Sequence, residues 1–455
     1  MPATSLAYMQ YWSLNCQMVF TWLTMDWCYK LINSVYSKSQ IAINLFLYNT
    51  GIFIYSIALR IASLFYEKAR RFIRGRRNLF SLLEQRMQND NRKKIWIHCA
   101  SLGEFEQSRP VIEAIKERYP NLSIVLTFFS PSGYEVKKKY QHADHIFYLP
   151  LDTKYNAKRF IDLVQPQCAL FVKYEFWYHY LHTLHQYNIP TVLFSAIFQP
   201  RHPFFKWYGG LHRKMLSFYQ QIFVQDKASA LLLQKINTDQ VQIVGDTRFD
   251  RAARILEMDK AFRTIEVFKG TDKLIVAGST WHEDERLLKK TLRSLPDNYK
   301  LLIAPHEVDD KHISSIQEMF PDSCLWATDE ESFRNSRVCI VHTVGQLAYL
   351  YKYADLVWIG GGFTHSGIHN IIEPAVFGVP IFFGPNYKRY REAMEMIAAG
   401  AVQSIADAKS LTTAIQQENA LLLMGNNAKK YVMDQVGATK SIVDYLSEKC
   451  LASIA

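Results

Sequence analysis

The chain is poor in the residues that would mark several function classes. Its seven cysteines, Cys16, Cys28, Cys99, Cys168, Cys324, Cys339 and Cys450, are scattered, odd in number and never spaced as C-x-x-C. That pattern argues against a disulfide framework or a zinc site and fits a reducing compartment. Only 15 prolines stand against a hydrophobic fraction of 49%, so there is ample material for large cores. There are no solenoid-type repeats and no recognised nucleic-acid module. Residues 1–38 lack a basic n-region and a small-residue cleavage site, so they do not read as a signal peptide and stay unassigned. The length of 455 residues predicts two or three domains.

Charge is present in excess and unevenly placed. Of a formal +11, Lys68, Arg70, Arg71, Arg74, Arg76 and Arg77 crowd into ten residues, followed by Arg92, Lys93 and Lys94. Such a cluster binds phosphate, of nucleic acid or of anionic lipid. Its position favours lipid, because Ser39 to Leu59 just upstream is a 21-residue stretch without a charge. That stretch is long enough to cross a bilayer as a helix, and an in-plane amphipathic anchor fits it as well. The plainer reading, a first core helix of a soluble domain, does not explain the basic flank. The expected layout is an anchor over 39–67 and a basic juxtamembrane segment over 68–93. By the positive-inside rule the residues after about 67 lie on the cytoplasmic side.

From Lys94 onward short apolar runs alternate with helical stretches. Ile95 to Cys99, Ser123 to Phe129, Cys168 to Val172, Thr191 to Phe194, Ile222 to Val224 and Val241 to Gly245 form one series of predicted strands. Leu274 to Gly278, Lys300 to Ala304, Cys339 to Val341, Leu356 to Gly360 and Val379 to Phe383 form a second. The pattern predicts an α/β protein with two doubly wound, Rossmann-like domains facing a cleft: 94–250 and 272–455, joined by a linker at 251–271. Ligands of such sheets sit at the carboxyl ends of the strands. The polar residues gather there, at Ser101 to Glu106, Lys173 to Trp177, Pro305-His306-Glu307, Thr343 to Gln346 and the run Gly360 to Pro374.

The last of these reads as a nucleotide-sugar pocket. Its glycines let backbone approach a ligand closely, Asn370 to Glu373 are expected to open a helix whose N–H groups attract phosphate, and the Glu373 carboxylate can accept hydrogen bonds from a ribose. A glycine-rich turn with a capped helix is the plainer alternative. For Glu104 alone, a carboxylate stabilised by a helix dipole is also the plainer reading.

Ser101-Leu102-Gly103-Glu104-Phe105, Phe129-Ser130-Pro131, Leu149-Pro150-Leu151-Asp152, Glu175-Phe176-Trp177, Gly245-Asp246-Thr247-Arg248-Phe249-Asp250, Ala277-Gly278-Ser279-Thr280, Val344-Gly345-Gln346-Leu347 and Gly361-Gly362-Phe363 with His369 to Pro374 occur in this order. On these motifs the chain, from about Leu47 to Val402, resembles the Kdo (3-deoxy-D-manno-octulosonic acid) transferases of lipopolysaccharide synthesis. The resemblance implies a GT-B glycosyltransferase with an N-terminal membrane-anchor helix, moving Kdo from CMP-Kdo to the lipid A precursor with inversion at the anomeric carbon. It places the catalytic domains on the cytoplasmic leaflet of the inner membrane of a Gram-negative bacterium. Residues 1 to about 46 find no counterpart in it, which leaves open a mis-assigned translation start.

The resemblance also implies roles. Glu104 matches the catalytic base, and Glu175 and Arg248 match positions assigned to transition-state stabilisation. Pro305, His306, Val344, Gly345, Gln346, Asn370, Ile371, Ile372 and Glu373 match the CMP site. It implies no cofactor and no metal, and there is no Asp-x-Asp motif at a strand end. Three departures stand out: Arg248 for the usual lysine, His306 for arginine, and Lys173 for a glutamate. Another GT-B nucleotide-sugar transferase, or a UDP-sugar epimerase, would share the glycine run and Glu373. Neither would call for the Ser101 to Phe105 motif beside an anchor.

Overall fold

The computed structural model describes residues 40–258, 261–326, 330–343 and 345–452. Residues 1–39 and Val344 therefore lie outside the described residues, and with them the N-terminal extension and one expected member of the CMP site. The chain forms two compact units: residues up to Val244 together with those from Ile442 onward, and Gly245–Ser441.

The first unit is built on seven parallel strands: β1 (Lys94–Cys99), β2 (Ser123–Phe128), β3 (His145–Tyr148), β4 (Pro166–Val172), β5 (Thr191–Ala196), β6 (Gln221–Val224) and β7 (Val241–Ile243). Their order is β3-β2-β1-β4-β5-β6-β7. β1, β2 and β5 are buried along their whole length, as strands covered by helices on both faces must be. Alternation sends Trp96, Ala169 and Phe171 into one core and Ile95, Ile97 and Leu170 into the other.

The second unit repeats the plan with β8 (Lys273–Thr280), β9 (Tyr299–Pro305), β10 (Ser323–Leu325), β11 (Val338–Ile340), β12 (Leu356–Ile359), β13 (Ile381–Phe383) and β14 (Gln403–Ser404). These run in the order β10-β11-β9-β8-β12-β13-β14, again all parallel. Chain direction across each sheet reverses once at the centre, between β1 and β4 and between β8 and β12. In doubly wound sheets that switch point opens the ligand crevice.

The unit boundaries differ from the sequence expectation in three places. The stretch expected as a linker contains the helix Arg263–Lys269 and most of Thr247–Glu257, whose Phe249, Ala252, Ile265 and Phe268 enter the core of the second unit. The chain then returns, so that Ile442, Val443, Leu446 and Leu451 complete a core of the first unit. The basic segment 68–93 also belongs to the first unit: its helix Leu79–Gln88 buries Leu79, Leu83 and Met87 there.

The anchor stretch is a helix, α1 (Gln40–Phe65), long and apolar enough to cross a membrane. It is followed by α2 (Glu67–Arg74). The basic cluster divides by position. Lys68, Arg71, Arg74 and Arg77 are exposed, whereas Arg76 is an internal tie. Its guanidinium donates to the carbonyls of Leu149 and Phe129 at 2.9 and 2.6 Å and lies 3.5 Å above the Phe72 ring. Burial pulls its pKa down to about 9, so it keeps its charge at neutral pH.

Candidate functional site

In the first unit the switch point lies between the ends of β1 and β4, and the chain leaving each strand carries one of the expected carboxylates. After β1, Ser101 caps the helix Leu102–Arg118. Ser101 N and Oγ donate to Glu104 Oε2 at 2.7 and 3.0 Å, while Glu104 N donates back to Ser101 Oγ at 3.5 Å. This capping box holds the carboxylate by one oxygen, and Oε1 takes none of these bonds. Burial raises the Glu104 pKa, and the nearby Glu175 carboxylate raises it further.

After β4 the backbone turns sharply through Lys173, whose φ of 67° lies in the left-handed region that non-glycine residues avoid. The turn directs Glu175 inward, where it is 5% exposed. Trp177 Nε1 donates to Glu175 Oε2, and Tyr219 OH donates to the Glu175 backbone carbonyl. His98 Nε2 lies 3.0 Å from the same Oε2, within ion-pair distance but off the line of a good hydrogen bond. The other ring nitrogen of His98 is 2.9 Å from Thr127 Oγ1, which also accepts from Trp96 Nε1 at 2.8 Å. His98, Thr127 and Trp96 were legible only as strand residues. What marks them as polar support for Glu175 is their register: His98 pairs with Thr127 and Phe171 across the β2-β1-β4 centre.

In the second unit the switch point lies between β8 and β12, and the glycine run leaves β12. A Cβ on Gly360 would fall 2.2 Å from the Ser279 carbonyl oxygen, and Gly361 has φ +87°, so both positions need glycine. The turn is pinned by Asp284, a fully buried residue absent from the sequence expectations. Its Oδ2 accepts from Gly361 N at 2.9 Å and Trp281 N at 3.0 Å, and its Oδ1 accepts from Trp358 Nε1 at 3.1 Å. Burial pushes the Asp284 carboxyl up to about 6 even against these three donors. Asp284→Asn replaces an acceptor by an NH₂ group facing N–H donors. It is expected to cost roughly 1–3 kcal/mol of stability, measured as a shift of the denaturant midpoint at unchanged m-value. An unchanged midpoint would show that Asp284 does not hold the turn.

Pro305 ends β9, and His306, exposed beside it, lies between two rings. Its centroid is 4.9 Å from Trp281 and 4.3 Å from His369, both nearly parallel to it. Trp281 Nε1 donates to His369 Nε2 at 3.2 Å, so the His369 proton sits on Nδ1. Burial, with the neighbouring His306, lowers the His369 pKa to about 4 and keeps that ring neutral. Gly345 adopts φ +94°, and Gln346 stands just before the short helix Leu347–Leu350 without a side-chain hydrogen bond to it. Asn370 Oδ1 accepts from Ile372 N at 2.9 Å at the start of the helix Ile372–Ala375. Ile371 and Ile372 are buried, so only their backbone can serve a ligand. Glu373 is half-buried, with Arg251 at 3.8 Å.

Arg248 belongs to the second unit and is heavily engaged. Its guanidinium reaches Asp246 at 2.8 and 2.9 Å and Glu392 at 3.0 Å. Burial works against its charge, but the two carboxylates override this and raise its pKa. The sequence expectation of a cation awaiting a donor anion thus meets a cation already shared by two carboxylates.

A sequence profile of the family described as 3-deoxy-D-manno-octulosonic-acid transferase (kdotransferase) matches residues 73–251. The chain is 27% identical over 374 residues to the 3-deoxy-D-manno-octulosonic acid transferase of Haemophilus influenzae, covering 77% of this chain and 86% of that enzyme. It is 26% identical over 329 residues to the enzyme of the same name from Aquifex aeolicus, covering 71% and 85%. Over most of its length the chain is similar to Kdo transferases. The chain so related carries Glu104 and Glu175 at the switch point of its first sheet and the glycine run at that of its second. Its two-sheet plan is GT-B. The UDP-GlcNAc 2-epimerase from Neisseria meningitidis, at TM-score 0.55 and 16% identity over 78% of this chain and 100% of the epimerase, shares that plan. Such a likeness speaks to fold alone.

Proposed function

We propose that this glycosyltransferase moves Kdo from CMP-Kdo onto a hydroxyl of the lipid A precursor, with inversion at the anomeric carbon and on the cytoplasmic face of the inner membrane. The observation that carries the reading is the placement of Glu104 and Glu175 at one switch point, with Glu104 held by a single oxygen. In the proposed step the acceptor hydroxyl oxygen attacks the anomeric carbon and its proton passes to Glu104. The bond from that carbon to the phosphate oxygen breaks, and CMP leaves with the electron pair. One base and one in-line displacement give inversion. Burial that raises the Glu104 pKa also makes it a stronger base. No metal enters the proposal: basic side chains and backbone N–H groups would meet the negative charge of the leaving phosphate. Arg248 could join them by exchanging Glu392 for the anionic donor.

Incubating membranes that contain the enzyme with CMP-Kdo and a tetra-acylated lipid A precursor should add Kdo to the lipid, read by mass analysis. Product from a UDP-sugar but none from CMP-Kdo would favour the other nucleotide-sugar reading. On the donor side, Glu373→Ala should weaken CMP-Kdo binding by roughly 1–3 kcal/mol, because ribose hydroxyls lose their acceptor. His306→Arg should tighten CMP binding in calorimetry, since a guanidinium can keep the stack on Trp281 while offering two N–H donors to phosphate. Indifference to the His306 change would place that ring outside the phosphate contact.

A further inference from the structure

α1 has two faces, and only one of them is open. Ile41, Leu45 and Tyr48 pack against a core of the first unit. The same stripe is fixed by polar bonds: Tyr48 OH donates to the buried Asp152 at 2.5 Å, Asn49 Oδ1 lies 2.6 Å from His179 Nε2, and Asn44 Nδ2 donates to the Tyr208 carbonyl at 3.2 Å. Further along, Tyr55 meets the rings of Phe72 and Phe129. The opposite stripe, running from Phe46 and Leu47 through Ile54 and Ile61 to Leu64 and Phe65, is exposed and apolar. A helix crossing the bilayer with this docking would draw Asp152, His179 and the surface around them into hydrocarbon, where unsatisfied polar groups are expensive.

A second apolar feature stands beside the first. The turn Trp207-Tyr208 abuts the early part of α1 through Asn44 and through Gly210, over which Ile41 packs. Trp207 is 81% exposed. A large aromatic ring in solvent at a turn is unusual in a soluble surface and common at a membrane interface. At the other end of α1, the exposed Lys68, Arg71 and Arg74 of α2 supply positive charge. An exposed aromatic, an apolar stripe roughly 30 Å long at about 1.5 Å per residue and a basic end lie in sequence along one docked helix. Their complement is an anionic bilayer.

Resting on the membrane reading above, we propose that α1 lies in the plane of the bilayer instead of crossing it, and that the Trp207-Tyr208 turn is a second insertion point beside its early part. The full chain is tested by flotation with phosphatidylcholine vesicles, with and without phosphatidylglycerol. Trp207→Ser should weaken binding to the anionic vesicles about tenfold, as loss of one inserted aromatic would, while turnover on detergent-dispersed acceptor stays unchanged. Undiminished binding of Trp207→Ser, beside clear loss in Phe46→Gln/Leu47→Gln, would overturn the second insertion point. Orientation is read with a membrane-impermeant maleimide on single cysteines at Gln40 and Lys68, in a Cys16→Ser/Cys28→Ser background, in sealed vesicles. Labelling of both from one side is expected, and labelling from opposite sides would overturn the in-plane seat. If the unaltered chain floats with neither vesicle type, the membrane reading itself falls, an outcome separate from failure at Trp207.

Discussion

Glu104→Gln should lower turnover by about 10²-fold or more while leaving CMP-Kdo affinity nearly intact, because the amide keeps the size of the side chain but cannot take the acceptor proton. Titration makes the test sharper. The base works only when ionised, so the rate should rise with pH through the Glu104 pKa, which burial and Glu175 hold above its ordinary value of 4.5. Removing the like charge by Glu175→Gln favours ionised Glu104. The acid limb of the profile should then move to lower pH, whatever happens to its height. Normal turnover in Glu104→Gln would rule it out as the base, and an unmoved limb in Glu175→Gln would show that the two do not share a site.

Much of this arrangement was legible in the sequence. Buried parallel strands are continuous apolar runs, so the interior strands of both sheets stood out, and the polar residues just beyond them marked the strand ends. The three strands that went unread, β3, β10 and β14, all lie at sheet edges. Edge strands here are short and only partly covered: Ser323–Leu325 and Gln403–Ser404 carry no apolar run, and the run in His145–Tyr148 is only three residues long.

The candidate sites were readable as positions and much less as partnerships. Glu104 has its capping partner three residues away, so Ser101 could be foreseen. Arg248 meets Glu392, 144 residues on, and Asp284 meets Gly361 across 77. Neither pairing leaves a local pattern. His98 looks like any strand residue until the register sets it against Thr127 and near Glu175. The packing of the charged stretch between the two series was hidden for a related reason: Phe249, Ile265 and Phe268 are sparse among charges, yet on helices of about 3.6 residues per turn they fall toward one core.

The double role of α1 leads to the other large effect. Composition favours an anchor that could be removed cleanly, leaving a folded, soluble remainder. The packing points elsewhere. Deleting residues 1–67 strips Ile41, Leu45 and Tyr48 from the first unit, takes one of the three donors from the buried Asp152, whose carboxyl burial already pushes up to about 6, and leaves His179 without Asn49. The three apolar side chains are partly buried and contribute a fraction of the roughly 1.5–3 kcal/mol of full burial each, while each buried polar group left without its partner costs about 1–3 kcal/mol. Their sum approaches the 5–15 kcal/mol that holds a whole domain together. The truncated chain should therefore show a first unit that has lost cooperative thermal unfolding and near-ultraviolet dichroism, with activity absent even on detergent-dispersed acceptor. The contrasting variant alters only the open face: Phe46→Gln, Leu47→Gln, Ile54→Gln and Ile61→Gln together should keep a cooperative transition and activity in detergent while losing vesicle binding. A truncated chain that melts like the full one would show that α1 is merely tethered to the first unit, and the in-plane docking would lose its structural basis.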